Sequence, residues 1–210
     1  QFLGEDSPIF DDIRDVLDQQ FARLAPLERD ILLWLAIERE PIAEAQLWQA
    51  FARATAKRNF LEALRSLQRR SLLENYAQAP RAGAPPSSGF GLQNVVTEYL
   101  TDYIVTQVCA EIEAATPQLL HSHALIKANA KEYIRQSQQR IILQPIGERL
   151  LATHGRTQLI AQGKQLLDAL RSDRALQPSF LAGNLLNLFL HLGFDLRGYH
   201  FWLRKEGDEL

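Results

Sequence analysis

Methionine, disulfide-forming cysteine pairs and long apolar runs are all missing from this sequence. The single Cys109 cannot form an intramolecular disulfide, and it lies in an apolar helical pattern, so we predict a buried free thiol. No run of 18 apolar residues and no signal-peptide pattern occur, which predicts a soluble, cytoplasmic protein that has no membrane partner. Because the chain has no methionine and begins at Gln1, we expect it to be part of a longer polypeptide.

An excess of charge of one sign is missing as well. The sequence has 23 Lys and Arg against 25 Asp and Glu, a net charge of −2. The whole molecule therefore has no electrostatic attraction to nucleic acid or to an anionic membrane, and any such surface must be local. At 210 residues and 46% hydrophobic content, the chain can bury a substantial core. We expect two small domains.

The motifs of common catalytic sites are also missing. A phosphate-binding P-loop needs a glycine five residues before its Gly-Lys pair and a Ser or Thr after it, but Gly163-Lys164 has Gln158 and Gln165 there. His121 and His123 are two apart on a predicted helix, so their imidazoles point about 200° apart and cannot share a metal. We therefore predict no enzyme activity, no catalytic residue, no metal site and no cofactor bound by this chain alone.

The first half of the chain has helical periodicity followed by two short strands. The strands are SLLENY and FGL, and the proline-rich and glycine-rich loop QAPRAGAPPSSG joins them. Three helices followed by two strands are the order of a winged-helix domain, which we place at 24–104 after a leading helix at 1–23. The predicted helices are Pro8 to Leu24, Pro26 to about Glu38, about Glu44 to Arg53, and a fourth from about Lys57.

The second half stays helical, and we expect a helical linker domain at 105–210. An apolar stripe at Leu119, His123, Ile126 and Ala130 is typical of a helix. The fold class is therefore mainly α: a winged-helix domain of three to four helices and a two-stranded wing, followed by an α-helical array or bundle. Helix breaks are predicted near Thr116-Pro117, Gln144-Pro145, His154-Gly155, Asp173 to Pro178 and Gly193.

The fourth helix is basic, which raises an alternative function. From Lys57 to Arg70 it has five basic residues and one acidic residue, Glu62. Arg58, Arg65 and Arg69 could contact DNA phosphates, as in a winged-helix transcription regulator. Against this, the exposed face lacks the Asn, Gln or Ser cluster typical of base reading, and Glu62 lies in mid-face.

A further alternative is a free-standing helical adaptor that binds only protein. Its contact surface would be the apolar segment from Phe180 to Phe189. Apolar residues at that density are more often part of a core than of an exposed surface.

Two uncharged amides begin the helix that follows the second strand, in the stretch FGLQNVVTEYL. Asn is a common helix-capping residue, so Gln93 and Asn94 could simply cap the helix. They could equally contact a ligand, because a helix N-terminus offers unpaired N–H groups and the positive end of the helix dipole, which together favour an anion. Both interpretations are open at this point.

The order of several sequence segments, along nearly the whole chain, resembles that in the NB-ARC class of STAND signalling ATPases. The similarity is closest to bacterial, largely cyanobacterial, members in which a nucleotide-binding core is followed by a winged-helix domain, a helical segment and a C-terminal WD-repeat propeller. The segments are LLWLAIEREPI (32–42), LEALRSLQRRSLLE (61–74), GFGLQNVVTEYLTDYI (89–104), HSHALIKANAKEYIRQSQQRIIL (121–143) and AGNLLNLF (182–189).

The resemblance implies that this chain is the regulatory, non-catalytic middle of a nucleotide-dependent switch. In such proteins the winged-helix domain latches the ADP-bound state and releases it when ATP replaces ADP. Implied partners are the P-loop domain of the same polypeptide, which carries ADP or ATP with Mg²⁺, a downstream sensor domain, and further copies in an activated homo-oligomer. Nucleic acid is not an implied partner.

The family's latch motif, Met-His-Asp, falls on Leu92, Gln93 and Asn94. The resemblance therefore implies that Gln93 and Asn94 sense a nucleotide phosphate. Here the chain departs from the motif, because Gln93 cannot become cationic as histidine can and Asn94 is neutral in place of an acid. A neutral hydrogen bond is weaker than a charge-assisted one, so we expect a latch looser by about 1 kcal/mol.

Overall fold

The computed structural model describes residues 8–52, 54–78, 87–172 and 179–197. As predicted, the described chain is mainly helical, and it has one small sheet. It divides into two compact units, residues 1–100 and residues 101–210, and the division falls inside one long helix. The domain limits expected from the sequence, at 23/24 and 104/105, stay predictions.

The first unit contains four helices, the start of a fifth, and three short strands among its described residues. Its second helix shows why the sequence folds this way locally. Pro26 occupies the first helical position, where a missing N–H costs nothing, and the Glu28 carboxylate accepts a hydrogen bond from the Ala25 N–H at 2.7 Å. The elements are α1 (Pro8–Ala22), α2 (Pro26–Glu38), β1 (Ile42–Ala43), α3 (Glu44–Phe51), α4 (Lys57–Arg69), β2 (Glu74–Gln78), β3 (Ser87–Gly91) and the start of α5 (Asn94–Ala114).

The core of the first unit lies between helices. In α2, Ile31 and Leu35 are buried, and in α4 Phe60 is fully buried. The Phe60 ring lies 5.2 Å from that of Trp48 and 5.5 Å from that of Phe51, both on α3. Aromatic packing therefore joins α3 to α4 and leaves the basic side of α4 to solvent.

The sheet has the strand order β1-β3-β2, with both pairings antiparallel. The predicted pair of strands is present as β2 and β3, but the sequence prediction missed β1. Two residues are too few to show an alternating pattern, so periodicity alone could not reveal that strand. β3 is the central strand, and its buried Phe90 lies opposite Ile42 on one side and Asn75 on the other.

The regular secondary structure among the described residues of the second unit is all helical. It contains the remainder of α5, a short helix, a π-helical turn continuous with two α-helices, and a last helix that packs on the longest one. These elements are α6 (Leu119–Ser122), α7 (Glu132–Gln138), the π-helical turn Gln139–Leu143, α8 (Gln144–Ser172) and α9 (Leu181–His191).

The helical stripe predicted from Leu119 to Ala130 is wrong. α6 ends at Ser122, and the chain then runs through turns until α7. Side chains hold this segment away from a helical path. Asn184 bonds the Leu120 carbonyl and the Leu125 N–H. Further along, the Gln138 side-chain oxygen accepts from the Lys127 N–H at 3.2 Å. Tertiary hydrogen bonds have therefore overridden the periodic pattern.

The break predicted at Gln144-Pro145 is also wrong. The helix continues past Pro145 because the preceding turn is π-helical, with the Gln144 N–H bonded to the Gln139 carbonyl. The wider turn relieves the clash between a proline ring and the carbonyl four residues before it. The change of direction predicted near His154-Gly155 is present as a kink in α8, where Gly155 has φ 70° and ψ 171°.

Candidate functional site

The junction between β3 and α5 is fixed by a close approach at Gly91. A Cβ atom on residue 91 would lie 2.6 Å from Cε2 of Tyr76, so only glycine fits against that ring. The Tyr76 hydroxyl donates to the Glu74 carboxylate at 2.6 Å, which raises the pKa of Tyr76 and holds the ring in place. The chain therefore leaves the sheet at a defined point, two residues before α5.

The first turn of α5 shows what Gln93 and Asn94 do locally. The Gln93 backbone carbonyl accepts from the Thr97 N–H at 2.9 Å and from the Thr97 hydroxyl at 3.0 Å. Gln93 thus occupies the N-cap position and Asn94 is already the first helical residue. Both residues are exposed, and among the described residues neither carboxamide has a hydrogen-bond partner. Asn94 therefore does not cap this helix.

The buried face of α5 directs the two amides to solvent. Val96, Tyr99 and Leu100 are buried on one side, and the Tyr99 hydroxyl donates to Asp18 at 2.6 Å. The first N–H groups of any α-helix lack partners within the helix, and the first turn of α5 has no acidic residue that would repel an anion. The start of α5 therefore presents neutral donors and a positive dipole end outward.

A half-buried cation lies close to this turn. Arg39 follows α2 in a left-handed conformation, φ 64°, which costs a non-glycine residue about 1–2 kcal/mol. Burial lowers the pKa of Arg39, and the charge of Glu98, one turn into α5, raises it. Arg39 is therefore close enough to α5 to interact electrostatically with its second turn.

The two side chains at this turn are uncharged amides. Neither Gln93 nor Asn94 titrates, so they cannot transfer protons, and their carboxamides offer neutral N–H donors only. The nucleotide-sensing role of the two residues stays a prediction.

The basic residues of the alternative DNA-binding surface all lie on the solvent side of α4. Arg58, Arg65 and Arg69 are exposed. Arg58 bonds Glu62 one turn later at 2.9 Å, and this hydrogen bond raises the pKa of Arg58. One of the three predicted phosphate contacts, Arg58, is therefore already engaged by a carboxylate.

His121, His123 and Cys109 have structural partners. His121 Nδ1 lies 2.5 Å from the Ser179 hydroxyl, and His123 Nδ1 lies 2.7 Å from the Ser122 hydroxyl. Cys109 is buried, as predicted. Within the part of the chain that the structure describes, no three His, Cys, Asp or Glu side chains are grouped so that they could hold a metal ion. No helix in the described ranges combines the length and the apolar character needed to cross a membrane.

The segment from Phe180 to Phe189 is mostly core. Leu181, Leu185, Leu188 and Phe189 are buried, whereas Phe180 is 43% exposed. An adaptor surface made of this whole segment is therefore not present.

A buried polar network in the second unit was missed by the sequence analysis. The Asn184 carboxamide donates to the Leu120 and His123 carbonyls at 2.9 and 2.8 Å and accepts from the Leu125 N–H at 2.9 Å. Glu111 accepts from the first two N–H groups of α6 at 2.7 and 3.0 Å. One signal existed: Asn184 is a polar residue at the core-facing spacing of an otherwise apolar helix.

Comparison with curated proteins finds a long cyanobacterial relative. The chain is 39% identical, over 227 aligned residues, to an uncharacterized WD repeat-containing protein of the cyanobacterium Nostoc sp.. The match covers 92% of this chain, which spans only 17% of that relative's length. No family model matches the chain. No solved structure matches it either.

Proposed function

We propose that this chain is the regulatory, non-catalytic region of a multidomain, nucleotide-dependent signalling switch of the NB-ARC type. A winged-helix domain would latch the ADP-bound state, and the helical region after it would relay the nucleotide state to downstream domains. The observation that carries the proposal is the exposed N-terminus of α5, where the carboxamides of Gln93 and Asn94 have no partner among the described residues.

The arrangement of the first unit supports a winged-helix domain. The order α2, β1, α3, α4, β2, β3, with β3 between the other two strands, is that expected when a wing hairpin returns to pair with a strand before the second helix. The relative's name supports the wider setting, because it describes a WD repeat-containing protein far longer than this chain. A longer polypeptide of that kind has room for a P-loop domain and for a downstream sensor domain.

The chemistry of the latch follows from the exposed helix end. The P-loop domain would hold ADP or ATP with Mg²⁺, and the β-phosphate would approach the first N–H groups of α5, with Gln93 and Asn94 adding neutral hydrogen bonds. Loss of these bonds on nucleotide exchange would free the chain to move and would permit homo-oligomerisation in the cytoplasm. The neutral donors make this latch independent of pH near neutrality.

The test uses the longer polypeptide that carries this chain. Gln93→Ala removes one neutral hydrogen bond, so ADP is expected to dissociate about fivefold faster and basal oligomerisation to rise. Gln93→His would slow ADP release below about pH 6.5, where the imidazole becomes cationic. The measurements are fluorescent-ADP release and sedimentation velocity.

The matched control is Gln165→Ala, because Gln165 is another exposed glutamine, on α8. It is expected to leave both ADP release and assembly unchanged. If Gln93→Ala behaves like Gln165→Ala in both measurements, the sensing role of Gln93 is wrong.

A second candidate function, DNA binding, is favoured by the exposure of Arg65 and Arg69 on α4. A winged-helix regulator would bind duplex DNA with sub-micromolar affinity that falls steeply with salt, and the double substitution of both arginines by alanine would abolish that binding. Weak binding that does not depend on these arginines would remove this alternative.

A further inference from the structure

Charge is segregated between two exposed helix faces of the first unit. On α4, the outward ridge contains Arg58, Glu62, Arg65 and Arg69, which follow one another at helical spacing. Arg58 is engaged with Glu62 at 2.9 Å. Arg65 and Arg69 have no ion-pair partner among the described residues, and two like charges four residues apart on a helix destabilise it slightly. The second half of α4 is therefore a cationic surface without a counter-charge.

The exposed face of α1 has the opposite character. Asp12 and Asp15 are exposed, and neither has an ion-pair partner in the described ranges. Between and beside them lie two exposed apolar residues, Ile13 at 38% and Val16 at 53%. An exposed apolar pair flanked by carboxylates fits a partner that is itself both cationic and partly apolar.

We propose that the second half of α4 docks on α1 of a second copy of this chain. Residues three and four apart on a helix have Cβ atoms about 5–6 Å apart, so Asp12 and Asp15 match the spacing of Arg65 and Arg69. The long aliphatic stems of the two arginines cover Ile13 and Val16 while their guanidinium groups reach the carboxylates. Because the two contacting faces are different, each copy offers one acidic and one basic face to other copies.

A protein surface fits α4 better than a nucleic acid does. The Glu62 carboxylate is exposed in the middle of the α4 ridge, where it would repel a phosphate backbone. Nucleic acid would also leave Ile13 and Val16 uncovered. The contact uses neither Gln93 nor Asn94, so it goes beyond the nucleotide switch, and either proposal can fail without the other.

The experiment is sedimentation velocity of the 210-residue chain over a range of concentrations. At about 0.05 M salt the weight-average mass should rise with protein concentration, and at about 0.5 M salt it should stay that of a monomer, because exposed ion pairs are screened. Two charge-reversed variants, Arg65→Glu with Arg69→Glu and Asp12→Lys with Asp15→Lys, should each lower the association constant at least about tenfold.

A mixture of the two variants is the decisive measurement. Each variant has one unchanged face that complements the unchanged face of the other, so the mixture should associate where neither variant does alone. The control, Arg140→Glu with Lys164→Glu, changes the charge by the same amount as the α4 variant at exposed sites of the second unit, and should associate like the parent chain. Circular dichroism shows that each variant is folded.

Three results would overturn the proposal. One is a parent chain that stays monomeric at low salt. Another is association that survives both charge reversals, or that a mixture of the two folded variants does not restore. The last is a monomeric parent that binds duplex DNA and loses that binding in the Arg65→Glu, Arg69→Glu variant, which would assign the surface to nucleic acid instead.

Discussion

Asn184 makes three buried hydrogen bonds with one carboxamide. Its donors reach the Leu120 and His123 carbonyls, and its oxygen accepts from the Leu125 N–H. Asn184 is only 3% exposed, so water cannot replace these hydrogen bonds. Asn184 therefore determines the path of the irregular segment between α6 and α7, where a helical pattern in the sequence is not followed.

Asn184→Ala should destabilise the protein by about 3 kcal/mol, because a buried N–H and two buried carbonyls lose their partner. Urea unfolding followed by circular dichroism measures the change. Asn187→Ala is the matched control: Asn187 lies on the same helix, is partly exposed and has no hydrogen-bond partner among the described residues, so its loss should be nearly neutral. Equal effects of the two substitutions would show that the network contributes little to stability.

At the scale of elements, α8 and α9 pack through a glycine. A Cβ atom on Gly163 of α8 would lie 2.2 Å from Cζ of the buried Phe189 on α9. A Cβ atom on Gly147 would likewise lie 2.6 Å from Leu192. Arg156 completes the contact, since it donates to the Gly193 carbonyl at 3.1 Å and lies 4.4 Å above the Phe194 ring. The absence of a side chain at Gly147 and at Gly163 therefore permits α9 and the residue after it to approach α8.

Gly163→Ala should destabilise the second unit by about 1–3 kcal/mol, since the new methyl group cannot be accommodated without moving Phe189. Gly183→Ala is the control, because a Cβ atom there meets nothing within 4 Å. As a helical Gly-to-Ala change in open space, it should stabilise the protein by up to about 1 kcal/mol. Thermal unfolding of both variants tests the pair, and a neutral or stabilising Gly163→Ala would contradict this packing.

Helices with strong amphipathic patterns could be predicted from the sequence. α4 begins at the predicted Lys57 and buries the predicted Phe60, Leu64 and Leu67, because one apolar stripe faces one core. The helix predicted from Leu119 to Ala130 was wrong because this segment is fixed by buried side-chain hydrogen bonds to residues distant in the sequence. Periodicity cannot reveal such bonds. The helix break predicted at Pro145 was wrong because nothing in the composition of the sequence reveals the π-helical turn that accommodates this proline.

The start of α5 could be located from the sequence, but its role could not be chosen. The sequence prediction began this helix with Gln93 and Asn94, and α5 begins at Asn94. Whether Asn94 caps the helix depends on a one-residue shift between Gln93 and Asn94, which is smaller than the accuracy of a sequence-based helix boundary. The structure resolves that choice, since Gln93 occupies the N-cap position.

At the scale of the whole molecule, Cys109 reports on the core of the second unit. Its Sγ lies 3.9 Å from the Ile146 carbonyl, and burial raises the pKa of the thiol to about 11. The nearby Arg149 lowers this pKa and Glu113 raises it, both less than burial does. Because the folded pKa lies above the unfolded one, the thiol's contribution to stability is complete below the unfolded pKa and is lost as the pH rises towards 11.

Cys109 should react with a thiol reagent only when the second unit unfolds. Near pH 8 the thiolate is scarce and shielded in the folded chain, so labelling should be at least about tenfold slower than in denaturant. The measurement is the rate of alkylation followed by mass spectrometry, with the urea-unfolded chain as reference. Equally fast labelling in native buffer would contradict the buried position of Cys109.

The central claim is that the start of α5 binds a phosphate, and amide chemical shifts test it directly. In the longer polypeptide, with this chain ¹⁵N-labelled and ADP held by the P-loop domain, we expect the backbone amides of Asn94, Val95 and Val96 and the carboxamides of Gln93 and Asn94 to shift. The same concentration of adenosine, which has no phosphate, should leave them unmoved. Unmoved resonances at this turn in saturating ADP, or equal shifts with adenosine, would contradict the account.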